Sequence, residues 1–85
     1  MEIEFTKQAQ KDLAFWKKSG NKIVQKKIQE LLEDILQNPF EGIGKPEPLK
    51  HSLSGSWSRR INAEHRIVYE LIDEIIYIES LKGHY

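Results

Sequence analysis

Cysteine is absent from these 85 residues, which excludes a disulfide framework and any thiolate zinc site. Histidine is scarce, and the three present (His51, His65 and His84) are too scattered to form a ligand set, so neither metal nor cofactor is expected. No apolar run approaches the ~20 residues needed to span a bilayer. The opening Met1-Glu2-Ile3-Glu4-Phe5 lacks the basic region and apolar stretch of a secretory signal. A cytoplasmic protein with no membrane partner is therefore expected. Proline and arginine are both confined: three prolines lie between Pro39 and Pro48, and three arginines between Arg59 and Arg66. Repeats, low-complexity tracts and interdomain linkers are missing as well.

What is present describes a small globular unit. At 39% hydrophobic and 31% charged residues the chain has too much apolar material for disorder and too much charge for a membrane. Its length supports one core, so residues 1–85 are expected to form a single domain with one principal functional surface.

The periodicity changes near Pro39. Glu2 to Phe5 alternates with period two, as a short strand does; Thr6 can then cap a helix that Gly20 stops, with Ala9, Leu13 and Trp16 at helical spacing. Asn21 can cap a second helix, in which Ile23, Val24, Ile28, Leu31, Leu32, Ile35 and Leu36 recur at steps of three and four until Asn38-Pro39. Pro39 to Pro48 reads as an irregular loop. Beyond it, Leu49 to Leu53, Trp57 to Ile61, Arg66 to Leu71 and Ile75 to Leu81 read as strands, with reversals at Ser54-Gly55, Asn62-Ala63-Glu64 and Asp73-Glu74. The fold class is α+β: two amino-terminal helices packed on one face of a twisted antiparallel sheet, whose other face stays partly open.

The zero net charge hides a segregation. From Lys45 to Arg66 five cations stand against two acids, a surplus of three, whereas Ile67 to Tyr85 carries one lysine against four acids. Arginine grips phosphate through a planar fork of donors, so this clustering suggests an anionic ligand, with an ordinary solvated strand surface as the plain alternative.

The nearby side chains are of the kinds that cleave RNA without a metal. A ribonucleotide supplies its own nucleophile, so an enzyme needs a base for the 2′-hydroxyl, cations for the phosphorane and an acid for the 5′-oxygen. Glu47 could be the base, Arg59 and Arg66 the phosphate clamp, His84 the acid, and Tyr85 a stacking or hydrogen-bonding partner. Each also has a structural reading: Glu47 in a Pro-rich turn, Arg66 paired with Glu64 or Glu70, and His84-Tyr85 as a frayed end.

Residues 39–51, Pro-Phe-Glu-Gly-Ile-Gly-Lys-Pro-Glu-Pro-Leu-Lys-His, are followed by Leu53-Ser54-Gly55, Trp57-Ser58-Arg59-Arg60-Ile61, Glu64-His65-Arg66 and Val68-Tyr69, and the chain closes on His84-Tyr85. This string resembles the YoeB-type (Txe/YoeB) toxins of bacterial type II toxin–antitoxin systems, within the RelE/ParE superfamily. The resemblance implies a microbial RNase fold and an endoribonuclease, an mRNA interferase that cuts messenger RNA in the ribosomal A site, in contact with 16S rRNA. Position by position, Glu47 matches the proposed general base, Arg66 the residue stabilising the transition state, His84 the proposed general acid and Tyr85 the terminal aromatic. Lys50 and Arg59 match residues lining the phosphate site, and Lys45 and Arg60 complete the expected RNA-contacting cations. The implied partners are a YefM/Phd-type antitoxin, operator DNA only through that antitoxin, and a second toxin copy in a homodimer. A ParE-like gyrase inhibitor and a non-catalytic binding module are the alternatives on the same fold.

One matter of register bears on His84. In a regular last strand Ile76, Ile78, Ser80 and His84 would share a face, so His84 would point towards the helices. The expectation is that the ladder bends or ends near Gly83, turning His84 and Tyr85 to the open face beside Arg66.

Overall fold

The computed structural model describes residues 1–50 and 55–83. Strand β1 (Glu2–Phe5) leads into helix α1 (Lys7–Ser19), and α2 (Lys22–Gln37) follows after a two-residue break. The Thr6 side chain accepts from the Ala9 N–H at 3.1 Å, and its hydroxyl also lies 3.0 Å from the Glu79 carbonyl, joining the start of α1 to the last strand. Gly20 ends α1 at φ 73°, a left-handed conformation that costs glycine little, and Asn21 caps α2 by accepting from the Val24 N–H. Val24, Ile28, Leu31 and Ile35 form the buried stripe of α2. Three members of the expected stripe fall outside it, Leu32 half-buried against the core, Ile23 at 84% exposure and Leu36 at 37%, because they lie on the flanks of the narrow arc that meets the sheet.

The sheet has five strands in the order β1-β5-β4-β3-β2, where β2 is Glu47–Pro48, β3 Trp57–Arg60, β4 Arg66–Ile72 and β5 Ile75–Ser80. The meander β2 to β5 is antiparallel as expected, whereas β1 pairs with β5 in parallel. The sheet is therefore mixed, as the long excursion through both helices permits. Trp16, Ile28, Leu31 and Ile35 pack against Ile67, Tyr69, Ile76, Ile78 and Leu81 on the covered face. The strand expected over Leu49 to Leu53 is displaced: the ladder forms at Glu47–Pro48, Leu49 and Lys50 lie outside it, and the rest of that stretch lies outside the described residues. β4 and β5 are joined by Asp73 and Glu74, both at positive φ (49° and 68°), the signature of a tight hairpin whose twist suits the strands.

The alternation of the last strand changes upstream of Gly83, while His84 itself lies outside the described residues. Val68 pairs with Ser80 but Tyr69 pairs with Ile78, so Glu79 is an extra residue on β5. That bulge reverses the alternation. Ile76 and Ile78 face the helices, Ser80 lies opposite Val68 on the other face, and Leu81 returns to the core with no exposure.

Candidate active site

The face of the sheet away from the helices is built by register. Trp57 and Ile61 contribute to the core, so their neighbours Ser58 and Arg60 point the other way; in β4 the same alternation puts Arg66, Val68 and Glu70 on that face, where Ser58 and Val68 are buried while Arg60 and Arg66 stay accessible. Glu47 pairs with Ser58, and Arg60 pairs with Arg66. Two arginines thus stand side by side on this face, with Glu47 two residues along and one strand from Arg60, two strands from Arg66. The offset from Arg66 is roughly 12 Å between backbones at ordinary strand spacing and rise, a gap that a phosphodiester between long side chains can fill.

Glu47, Lys45, Lys50 and Arg60 are exposed, and Arg66 is half-buried. The Arg60 N–H donates to the Gly44 carbonyl at 2.7 Å, which sets Lys45 (φ 53°) beside Arg60. Among the described residues the only ion pair joins Arg59 to Asp34, so neither Glu64 nor Glu70 neutralises Arg66.

Arg59 requires a correction. The sequence suggests a phosphate ligand, but this guanidinium is fully buried and every one of its donors is used inside the protein. Nε donates to the Tyr69 hydroxyl at 3.0 Å, Nη1 to Asp34 Oδ2 at 2.5 Å and the Ile43 carbonyl at 3.1 Å, and Nη2 to the carbonyls of Asn38 at 2.5 Å and Glu41 at 2.8 Å. The Tyr69 hydroxyl in turn donates to the Pro39 carbonyl at 2.7 Å. Arg59 therefore organises the loop that delivers Lys45 and Glu47, and no N–H remains for phosphate. Its parity with Trp57 and Ile61 was the signal for this role, since adjacent residues of one strand face opposite ways. Gly42 belongs to the same hub: at φ 123° it lies so close to Asp34 that a Cβ would strike the carboxylate.

The Arg59 hydrogen bond holds the Asp34 carboxyl below its ordinary value, assisted by the Ile43 N–H and opposed by desolvation, while burial raises the Tyr69 phenol. A depressed carboxylate contributes stability that is present above its unfolded pKa and lost as pH falls through the lower folded value. Urea midpoints measured from about pH 5 to about pH 2 should therefore fall more steeply for the wild type than for Asp34→Asn, which has no carboxyl to protonate.

The chain beyond β5 is held at alternate residues. Asp12 Oδ2 accepts from the Leu81 N–H at 2.9 Å, and the Trp16 indole donates to the Leu81 carbonyl at 2.8 Å. Two residues on, the Arg66 N–H donates to the Gly83 carbonyl at 2.9 Å and the Gly83 N–H donates to His65 Nδ1 at 3.1 Å. Gly83, at φ 103°, thus lies beside Arg66 at the edge of the open face. His84 and Tyr85 lie outside the described residues. Sequence reasoning did not single out His65 or Asp12, whose roles depend on partners many positions away.

Known proteins bear on this arrangement. The family described as YoeB-like toxin of bacterial type II toxin-antitoxin system matches residues 5–85. Toxin YoeB of Escherichia coli strain K12 is 47% identical over 85 residues, covering the whole of both chains. A YoeB/ParE toxin from Agrobacterium tumefaciens superposes with a TM-score of 0.93 at 37% identity, again covering both chains in full. The toxin of a YoeB-YefM complex from Staphylococcus aureus superposes with a TM-score of 0.87 at 51% identity, over 98% of this chain and 95% of that one. With this fold, a family match over residues 5–85 and a full-length relative at this identity, the chain belongs to the YoeB-like toxins of bacterial type II toxin–antitoxin systems.

Proposed function

We propose that this toxin is a ribosome-dependent, metal-independent endoribonuclease that cuts messenger RNA in the ribosomal A site and so stops translation. The observation that carries the reading is the juxtaposition of Arg60 and Arg66, without a carboxylate partner among the described residues, on the same helix-free face as Glu47. Glu47 takes the proton from the 2′-hydroxyl, and the 2′-oxygen attacks the adjacent phosphorus. Arg66 bears the charge that builds on the phosphorane, with Arg60, Lys45 and Lys50 holding flanking phosphates. The bond from phosphorus to the 5′-oxygen breaks as His84 gives that oxygen a proton, leaving a 2′,3′-cyclic phosphate and a 5′-hydroxyl. Tyr85 stacks on a base or completes the hydrogen bonding at the scissile group. Arg59 has no part in these steps except to hold the loop.

The reading extends to partners. The positive stretch from Lys45 to Arg66 suits a flexible acidic segment as well as RNA, which supports a YefM/Phd-type antitoxin as neutralising partner, with operator DNA reached only through it. A YoeB from Staphylococcus aureus, 49% identical, has been solved as a dimer, which supports self-association here. The 16S rRNA and the message in the decoding centre complete the partners, all in the cytoplasm.

The test is primer extension on a defined message in a purified translation system. Wild-type protein should produce a new cut within the decoding-site codon, and His84→Ala should leave that position intact. Intact message with both proteins, together with altered plasmid supercoiling, would overturn the reading in favour of gyrase inhibition.

A further inference from the structure

His65 has no role in the chemistry above, yet among the described residues it is the side chain that holds the peptide immediately before His84. Its backbone is locked first: the His65 N–H donates to Asn62 Oδ1 at 2.8 Å, and its carbonyl accepts from the N–H groups of Ile61 at 2.9 Å and Asn62 at 3.3 Å. The ring is placed next, by an edge-to-face contact with Trp16, the centroids 4.9 Å apart and the planes at 84°. Trp16 is itself tied down through its indole bond to the Leu81 carbonyl. The ring so oriented presents Nδ1 to the Gly83 amide at 3.1 Å.

We propose that His65 is a positioning residue for catalysis, a fixed acceptor that holds Gly83, the residue from which the His84-Tyr85 pair departs; this rests on the endoribonuclease reading. An amide can only donate, so Nδ1 must offer a lone pair and the neutral ring carries its proton on Nε2. With the Arg66 N–H on the Gly83 carbonyl, both polar backbone groups of Gly83 are engaged by consecutive residues, one through backbone and one through the imidazole. A chain end is otherwise the part of a domain least held in place. The clamp also ties the departure point of the proposed acid to Arg66, the residue proposed to stabilise the phosphorane. Positioning of this kind acts on the rate at saturating substrate, since an acid displaced by about 1 Å can cost ~100-fold while leaving binding intact.

Two substitutions separate aiming from packing. His65→Phe keeps a ring against Trp16 and removes the acceptor, whereas His65→Asn removes the ring and places a side-chain oxygen near the Nδ1 position. Cleavage of a defined message on purified ribosomes should fall about 10- to 100-fold in kcat with His65→Phe at unchanged KM, and His65→Asn should recover most of that loss. A purely structural role would rank the variants the other way, with the aromatic substitution the milder. Hydrogen exchange of the Gly83 amide supplies the readout independent of activity: about tenfold faster in His65→Phe than in wild type or His65→Asn. Long-range proton–nitrogen spectra of the wild type should show Nδ1 unprotonated. Full activity in His65→Phe, or unaltered Gly83 exchange in it, overturns the proposal. A wild type that cuts no RNA overturns the endoribonuclease reading and the catalytic half of this proposal, and the exchange experiment then decides the clamp by itself.

Discussion

Arg59→Ala should remove about 3–5 kcal/mol of stability, a large share of the total, although the substitution removes no residue from the proposed chemistry. Five donors vanish together, leaving the Asp34 carboxylate and the carbonyls of Asn38, Glu41 and Ile43 without the partner that gathers them around a fully buried guanidinium. Breaking a buried ion pair by deleting one partner costs about 3–5 kcal/mol. A domain of this length has only about 4–13 kcal/mol in total. Arg59→Lys should rescue little, because one ammonium has three donors and no planar fork with which to reach carbonyls on several sides. Arg60→Ala is the control: its side chain is exposed, and its urea midpoint should match the wild type. Thermal or urea denaturation of the three variants decides the matter, and a folded, fully stable Arg59→Ala would refute the hub.

Arg66→Ala should show the opposite pattern, a folded protein with almost no cleavage. The Arg66 side chain lies half-buried on the face away from the helices without a carboxylate partner among the described residues, and its bond to Gly83 is made by the backbone, which the substitution leaves in place. Stability should change by no more than about 0.5 kcal/mol. Loss of a charge aimed at a developing oxyanion costs about 100- to 1000-fold in kcat, and a smaller change in KM is expected because the phosphorane, more than the ground-state phosphate, needs that charge. Arg66→Lys should fall between the two, retaining charge and losing the fork. Single-turnover cleavage on programmed ribosomes measures the chemical step directly; wild-type rates in Arg66→Ala would remove this residue from the mechanism.

The two arginines show where sequence reasoning succeeded and where it stopped. Arg59 and Arg60 are adjacent and chemically identical, and composition alone makes both of them phosphate ligands. Strand alternation separates them, with Arg59 falling on the parity of Trp57 and Ile61, but the meaning of that parity depends on which face the helices cover. The bulge at Glu79 is a second case. Nothing in Ile75 to Ser80 marks an extra residue, since Glu79 fits a regular alternation; its placement follows from Ser80 pairing with Val68 while Leu81 returns to the core. Glu79 is further held by bonds from residues distant in sequence, its carboxylate accepting from the Ser56 hydroxyl at 2.5 Å and its carbonyl facing the Thr6 hydroxyl.

Local chemistry is written in the chain and needs no fold to be read. Helix starts at Thr6 and Asn21, the stop at Gly20, the helical spacing of apolar residues from Ile23 to Leu36 and the Asp73-Glu74 hairpin all follow from interactions within a few residues. So does the family, because the motif string from Pro39 to Tyr69 and the final His84-Tyr85 are properties of residue order. Long-range partnership belongs to the tertiary structure. Whether β1 joins in parallel, which arginine is buried, and which imidazole grips Gly83 depend on groups that are far apart along the chain and meet only when the core closes. The physical reason is that burial converts an ordinary polar side chain into one that must find a partner, and the identity of that partner is set by packing.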